Sequence, residues 1–303
     1  MLIRDMIQLA RPGHWVKNIV VFMPVVFGMR MTHLDAWAQA GVAAAAFCFA
    51  SAFAYIINDI KDRQSDRRHP LKKFRPLACD KISTQAAIAE ATVFLLIGVF
   101  LARSLSVILL LIVLLYVLLQ TSYTFFLKHK ALIDVICIAL GFVLRAASGA
   151  VAIRVEISPW LFICMFTLCL FMGFCKRYSE VVTIGDADIA QNHRPTLIEY
   201  TPELLTHLIT LSAGIAVIAF LLYGLSERTV AQFGTHYFIY TLPVAVYAVF
   251  RFAMLSMRGA YSGPTELILR DRPFQLTILI WMVLILVAIR FSSNIESWIQ
   301  SLY

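Results

Sequence analysis

Charged residues are scarce in this sequence. Asp, Glu, Lys and Arg make up 15% of its 303 residues, whereas 60% are hydrophobic and the mean hydropathy is +0.80. So little charge is not typical of a water-soluble protein of this length, and long apolar runs are typical of membrane spans. The composition therefore argues against an ordinary soluble enzyme and predicts an integral membrane protein.

Metal-binding and nucleophile motifs are also missing. The six cysteines include no CxxC pair, so the sequence implies neither a disulfide framework nor a zinc site. The seven histidines show no metal-ligand spacing, and there is no Walker or GxSxG signature. No low-complexity linker or soluble insertion interrupts the apolar runs, so we expect one transmembrane domain over residues 1–303.

Nine apolar segments are each near the length that a helix needs to cross a bilayer. They lie at roughly 17–30, 38–57, 85–102, 105–126, 132–152, 158–175, 205–224, 236–250 and 274–290. The predicted fold class is therefore an all-α integral membrane protein, a bundle of nine transmembrane helices.

The distribution of Lys and Arg predicts the orientation of these segments. Of the 26 such residues, 20 lie in loops on the side of the N-terminus, five lie on the opposite side and Arg145 lies within the fifth segment. By the positive-inside rule we expect the N-terminus in the cytoplasm and, with nine spans, the C-terminus outside. Because the net charge of +8 is concentrated at one membrane face, we expect no nucleic-acid partner.

The most informative stretch, Asn58–Ser83, follows the second apolar segment. At about 100° per residue, Asp59, Asp62 and Asp66 fall within roughly 60° of one another on a helix, with Asn58 beside them. Such a set of oxygen ligands favours Mg²⁺, which keeps several waters and is completed by substrate phosphates. The same stretch is rich in Lys and Arg, which bind phosphates; the alternative interpretation is a solvated cytoplasmic loop.

Polar residues at the same predicted membrane face are further candidates for binding the substrates. They are Lys17, Arg67, Lys72, Arg75, Tyr123 and Lys128, and at the end of the sixth segment Lys176, Arg177, Tyr178 and Glu180. Lys17 and Lys128 are equally typical of lysines that anchor a helix at the membrane interface. Lys176 and Glu180 also have the spacing of a helical salt bridge.

Arg145 lies roughly midway along the fifth segment, where a charge is costly and normally faces a partner or a cavity. Two interpretations stay open at this point. The arginine either contributes to the anionic site or forms a structural ion pair.

Four motifs are distinctive when taken together. They are RPxxWVKN at Arg11–Asn18, NDxxDxxxDxxHPxKxxRP at Asn58–Pro76, KRYSE at Lys176–Glu180 and GPTELxLRDRP at Gly263–Pro273. In combination they resemble the UbiA superfamily of intramembrane prenyltransferases, over essentially the whole chain. Within the superfamily the chain looks most like the decaprenyl-phosphate phosphoribosyltransferases.

This resemblance implies a Mg²⁺-dependent transferase that moves 5-phosphoribose from phosphoribosyl diphosphate to a polyprenyl phosphate. It implies a helical bundle with a cytoplasm-facing active site in a bacterial-type inner (plasma) membrane; homo-oligomerisation is left open. The implied catalytic residues are Asp59, Asp62, Asp66, Lys176 and Tyr178, and the implied metal ligands are Asn58 and the same three aspartates. The remaining candidates would bind substrate.

One departure from the superfamily favours the phosphoribosyl donor. Aromatic prenyltransferases of the superfamily usually carry a second aspartate-rich motif at the end of the sixth helix, where this chain has Lys176 and Glu180. A cation in place of a carboxylate weakens a second metal site and favours direct phosphate contact, and this donor has a 5-phosphate that prenyl diphosphates lack. Prenyl transfer to an aromatic acceptor is the alternative. A lipid transporter is less favoured, because the charges crowd one face.

Overall fold

The computed structural model describes residues 2–68, 72–184, 195–234, 237–261 and 263–290. All regular secondary structure in these ranges is helical, without a strand, which confirms the predicted all-α class. The chain divides into two compact units, Met1–Ile157 and Ser158–Tyr303. The single domain predicted over residues 1–303 stays a prediction.

Within its described residues, the first unit contains six α-helices. They are α1 (Leu2–Ala10), α2 (Met23–Phe27), α3 (Leu34–Arg68), α4 (Thr84–Leu105), α5 (Val107–Phe125) and α6 (Ile133–Ala152). Short 3₁₀ helices lie between them at Pro12–Phe22, Lys72–Phe74 and Leu127–His129. With 35 residues, α3 is the longest of these helices, and it packs against α4, α5 and α6.

The packed part of α3 is rich in alanine. Ala40, Ala43, Ala46 and Ala50 are fully buried. Small side chains let helix backbones approach closely, and a Cβ atom at Gly98 of α4 would lie only 3.1 Å from the carbonyl oxygen of Ala46. This close packing fixes the direction of α3, which then continues beyond its apolar part and carries its polar C-terminal turns at a defined position.

The second unit contains six further α-helices in its described part. They are α7 (Pro159–Ile184), α8 (Pro202–Leu225), α9 (Glu227–Phe233), α10 (Leu242–Met257), α11 (Pro264–Arg270) and α12 (Arg272–Arg290). Helix α7 packs along α8. Phe252 of α10 contacts Phe171 and Phe274, with ring centroids 5.4 and 5.9 Å away, and so joins α7 to the start of α12.

Seven helices among the described residues are long and apolar enough to cross a membrane, by length and composition. They start at Leu34, Thr84, Val107, Ile133, Pro159, Pro202 and Tyr237. The first predicted span, 17–30, is divided between the 3₁₀ helix Pro12–Phe22 and α2, and the last falls in α12, whose apolar part Arg272–Ala288 is shorter. The helices indicate an integral membrane protein, and the count of nine stays a prediction.

Candidate active site

Asp59, Asp62 and Asp66 lie on one face of α3, near its C-terminal end. Asp59 and Asp66 are each only 3% exposed, whereas Asp62 is half-buried. Burying a charged carboxylate is costly unless a partner compensates for the lost hydration. The partners of these three side chains therefore decide what the site can do.

Two arginines neutralise the buried pair. Arg75 Nη1 lies 3.0 Å from Asp59 Oδ1 and 2.6 Å from Asp66 Oδ2, so one guanidinium nitrogen bridges both carboxylates. Arg11 Nη2 also donates a hydrogen bond to Asp59 Oδ1. Hydrogen bonds between charged groups are stronger than neutral ones, and these contacts explain how two carboxylates are buried side by side.

Asp62 belongs to a separate contact. Lys128, from the 3₁₀ helix Leu127–His129, places its Nζ 2.5 Å from Asp62 Oδ1. In the part of the chain that the structure describes, no group of three His, Cys, Asp or Glu side chains could hold a metal ion together. The predicted aspartates thus share a helix face, but their carboxylates are divided between Arg75 and Lys128.

The oxygen atoms of Asp59 and Asp66 nevertheless suit a hard cation. Asp59 Oδ1 and Asp66 Oδ2 converge on a single nitrogen of Arg75, so a positive charge is already accommodated between them. Mg²⁺ is usually bound by one or two carboxylates and completed by water and substrate phosphates. Two convergent aspartates fit that pattern.

The loop of residues 72–83, here called the Arg75 loop, is anchored to α3. Arg63 and Arg67 each donate one hydrogen bond to a carbonyl oxygen of the loop, at 3.2 and 3.1 Å, and both bind the carboxylate of Asp80. The hydrogen bond from Arg63, reinforced by Arg67, holds the pKa of Asp80 below its ordinary value. Arg67, predicted to bind substrate, is therefore engaged with the loop that presents Arg75.

Arg11 is a site residue that sequence reasoning missed. Besides its bond to Asp59, its guanidinium carbon lies 5.2 Å from the ring centroid of Tyr55, a cation–π contact. Its backbone has a φ of 50°, in the left-handed region, immediately before Pro12 and the first 3₁₀ helix. The signal in the sequence is its position as the first residue of the RPxxWVKN motif.

The other predicted residues of the first unit are half-buried. Asn58 lies on α3 directly before the first aspartate, and Tyr123 lies in the last turn of α5. Lys17 and Lys72 lie in two of the 3₁₀ helices. Their contact with a substrate stays a prediction.

Arg145 of α6 is 5% exposed and is held by neutral groups. Its Nε donates to Asn18 Oδ1 at 2.7 Å, and its Nη2 donates to the hydroxyls of Tyr116 and Ser51 at 2.7 and 3.2 Å. Its Nη1 donates to the carbonyl oxygen of Gly141 at 2.8 Å. No carboxylate among the described residues contacts it, so the described part of the chain does not show the predicted ion pair. The guanidinium instead links α6 to α3, α5 and the first 3₁₀ helix.

In the second unit, the KRYSE motif lies in the last turns of α7. Lys176 Nζ is 3.6 Å from Glu180 Oε1, and Arg177 Nη1 donates to Glu180 Oε2. Arg177 is 1% exposed, Lys176 has 42% of its side chain exposed, and Tyr178 is half-buried. The salt bridge expected from the spacing is present, and a role of these residues in substrate binding stays a prediction.

The GPTELxLRDRP motif provides a structural ion pair in this unit. Arg251 Nε and Nη2 bind the two carboxylate oxygens of Asp271 at 2.7 and 2.9 Å. Asp271 Oδ1 also accepts a hydrogen bond from the backbone N–H of Phe274 at 2.8 Å, in the first turn of α12. The bond from Arg251 holds the pKa of Asp271 below its ordinary value. The aspartate of this motif thus orients the start of α12.

Comparisons with known proteins extend these observations. Residues 20–263 match the model of the UbiA prenyltransferase family. The chain is 32% identical to a decaprenyl-phosphate phosphoribosyltransferase of Mycolicibacterium smegmatis, over 96% of this chain and 94% of that protein. It is 29% identical to a protein of the same name from Mycobacterium tuberculosis, over 96% of each chain. Its fold is similar to that of a UbiA homolog from Archaeoglobus fulgidus bound to GPP and Mg²⁺, with a TM-score of 0.69, 20% identity, and coverage of 94% of this chain and 99% of that chain.

Proposed function

The chain belongs to the UbiA prenyltransferase family, an all-helical family of membrane transferases, and on this premise we propose a specific reaction for it. It transfers 5-phosphoribose from phosphoribosyl diphosphate to a polyprenyl phosphate. The transfer forms a bond between an acceptor phosphate oxygen and ribose C1, and it breaks the bond between C1 and the departing diphosphate. The observation that carries this choice is the similarity over nearly the full length to relatives named decaprenyl-phosphate phosphoribosyltransferase.

The first unit would provide the metal ligands. Asp59, Asp62 and Asp66 would hold Mg²⁺, with Asn58 in support, and the solved family member with bound Mg²⁺ supports the use of a divalent metal. When bound, the ion would neutralise negative charge on the diphosphate. The convergence of Asp59 and Asp66 on one cationic nitrogen supports these two aspartates as ligands, while Asp62, which contacts Lys128, stays a prediction.

Cations beside the aspartates would bind the phosphates. Arg11 and Arg75 present guanidinium groups, which match phosphate oxygens in pairs, and Lys128 presents a compact point charge. Held in place before the reaction, such groups stabilise the negative charge that builds up as diphosphate leaves. Lys17 and Tyr123 would complete the set from the first 3₁₀ helix and from α5.

The acceptor does not need a general base. A polyprenyl phosphate is already anionic at neutral pH, so it needs positioning rather than deprotonation. The side chains of the three aspartates contact arginine and lysine. We assign substrate binding on α7 to Lys176, Arg177, Tyr178 and Glu180, with Lys176 favouring the donor that carries a second phosphate group.

The orientation follows from the basic loops. We assign nine membrane helices, a cytoplasmic N-terminus and an outer C-terminus in a bacterial-type inner membrane, because Lys and Arg are concentrated on one side. A water-soluble donor would then arrive from the cytoplasm and a lipid acceptor from the bilayer.

A donor test decides between the two family reactions. The purified protein in lipid or detergent receives Mg²⁺, a polyprenyl phosphate and radiolabelled phosphoribosyl diphosphate. A parallel reaction contains Mg²⁺, a polyprenyl diphosphate and an aromatic acid. We expect label in the lipid fraction of the first reaction, and its loss when the metal is chelated. Product in the parallel reaction alone would replace the proposal with aromatic prenyl transfer, and product in neither would overturn both.

A further inference from the structure

The three aspartates of α3 are matched by three cations. Arg75 contacts Asp59 and Asp66, Arg11 contacts Asp59, and Lys128 contacts Asp62. With every group ionised, the local charge of this cluster is zero. A divalent metal that arrived alone would therefore meet three neighbouring positive charges without any excess of negative charge.

Arg75 controls access to the two buried carboxylates. The side chains of Asp59 and Asp66 are 3% and 5% exposed, whereas the side chain of Arg75 is 26% exposed. Its Nη1 occupies the position on which both carboxylate oxygens converge. A metal bound by both aspartates must take that position, so the guanidinium must leave it.

The backbone around Arg75 is held in place by apolar packing and by hydrogen bonds from α3. Leu77 and Ile82 of the Arg75 loop are 1% and 2% exposed and belong to an apolar cluster with Leu9 and Ile56. The arginine anchors from α3 fix the same loop. An exchange would therefore be a rotation of one long side chain about a fixed base, without unfolding of the loop.

We propose that Arg75 is a counter-ion that metal and diphosphate displace together. The metal replaces the guanidinium between Asp59 and Asp66, and the guanidinium moves to the oxygens of the arriving diphosphate. This inference deepens the proposed function and rests on it only in taking a metal–diphosphate as the ligand. Metal binding and diphosphate binding are then strongly coupled, and the coupling is the same in both directions.

Arg75 has opposite effects on the binding of the metal and on the binding of diphosphate. Arg75 opposes the metal, because both compete for the same carboxylate oxygens. It favours diphosphate, because a guanidinium released from Asp66 gains phosphate oxygens as partners. If Arg75 only stabilised the fold, its replacement would instead weaken the binding of both the metal and diphosphate.

The test measures binding rather than turnover. Mn²⁺ serves as a paramagnetic probe, and its dissociation constant for the full-length protein in detergent is measured by EPR with and without inorganic diphosphate. In wild-type protein we expect diphosphate to tighten Mn²⁺ binding. In Arg75→Gln we expect Mn²⁺ alone to bind on the order of tenfold more tightly, which lies at the low end of the effect that Coulomb's law gives for removing one charge at contact distance. We also expect the tightening of Mn²⁺ binding by diphosphate to shrink by a similar factor.

Two further variants separate charge from structure. Arg75→Lys keeps the positive charge and should retain weak binding of Mn²⁺ alone. Lys81→Gln removes one exposed positive charge from the same loop and should behave as wild type. The proposed exchange would be overturned if Arg75→Gln bound Mn²⁺ and diphosphate equally more weakly, or if its binding of Mn²⁺ alone were unchanged. Because neither probe contains ribose or lipid, failure of the phosphoribosyl reaction would leave this result intact.

Discussion

Arg145 Nε donates a hydrogen bond to Asn18 Oδ1 at 2.7 Å, and this bond ties α6 to the 3₁₀ helix that follows Arg11. Asn18 is 2% exposed and Arg145 is 5% exposed, so water does not replace either partner easily. The same 3₁₀ helix carries Lys17 and begins directly after Arg11, which contacts Asp59. A buried cation in α6 therefore helps to position a segment that reaches the aspartates.

Replacing Asn18 should test that connection. Asn18→Ala leaves Arg145 Nε without its acceptor, and a buried donor without a partner costs about 1–3 kcal/mol. We expect a lower free energy of unfolding in detergent. Ser51→Ala is the matched control, because Ser51 lies at the longer distance of 3.2 Å from Arg145 and should cost less. Equal losses in the two variants would contradict a special role for Asn18.

Asp62→Asn should remove most of the transferase activity. The change preserves shape and removes one carboxylate charge, and loss of one preorganised electrostatic group typically lowers kcat by on the order of 10²–10³-fold. Insertion and thermal unfolding should stay near wild type, because Asp62 is half-buried rather than part of the packed core. The control is Asp35→Asn in the first turn of α3, where the side chain is 76% exposed. Wild-type turnover by Asp62→Asn would refute the assignment of this aspartate to the metal.

Lys176→Asp should impair phosphoribosyl transfer more than it impairs stability. The lysine side chain is 42% exposed and its contact with Glu180 is 3.6 Å, so the structural cost of losing this pair is small, about 0–1 kcal/mol. A negative charge at the position should repel the donor and raise its KM. Lys176→Gln separates loss of attraction from new repulsion and should show a smaller rise. Unchanged KM in the aspartate variant would remove the argument that Lys176 selects the donor.

The sequence predicts the part of the site that depends only on residues close together in the chain. Helical periodicity alone places Asp59, Asp62 and Asp66 on one face, and α3 does continue through all three. The partners of these residues come from positions 9 to 66 residues away in the chain. Spacing along the sequence has no bearing on such pairs, because they depend on how loops fold back.

Two backbone conformations illustrate why the partners escape prediction. Arg11 and Asp80 have φ values of 50° and 59°, which are uncommon for residues other than glycine. Tertiary contacts stabilise them, through Asp59 for Arg11 and through Arg63 for Asp80. For the same reason the sequence leaves two interpretations of Arg145 open, since its neutral partners lie on other elements of the fold.

The anchoring of the Arg75 loop should depend on pH. The pKa of Asp80 is held below its ordinary value of 3.8, chiefly by the hydrogen bond from Arg63. A carboxyl with a lowered pKa in the folded state stabilises that state above the ordinary value, and the contribution is lost as the pH falls through the lowered pKa. We therefore expect the loop to loosen below about pH 4.

Hydrogen–deuterium exchange of the loop amides, corrected for the intrinsic effect of pH, measures this loosening. Suitable reporters are the N–H groups of Cys79 and Lys81, which donate to loop carbonyl oxygens at 3.0 and 2.9 Å. Asp80→Asn should reduce the protection of these two amides near neutral pH. The protection that remains should hardly change as the pH falls. Asp35→Asn should retain the wild-type profile. If wild type and Asp80→Asn lost protection in parallel, the acid sensitivity would belong to other carboxylates, and the Arg63–Asp80 contact would not be what holds Arg75 in place.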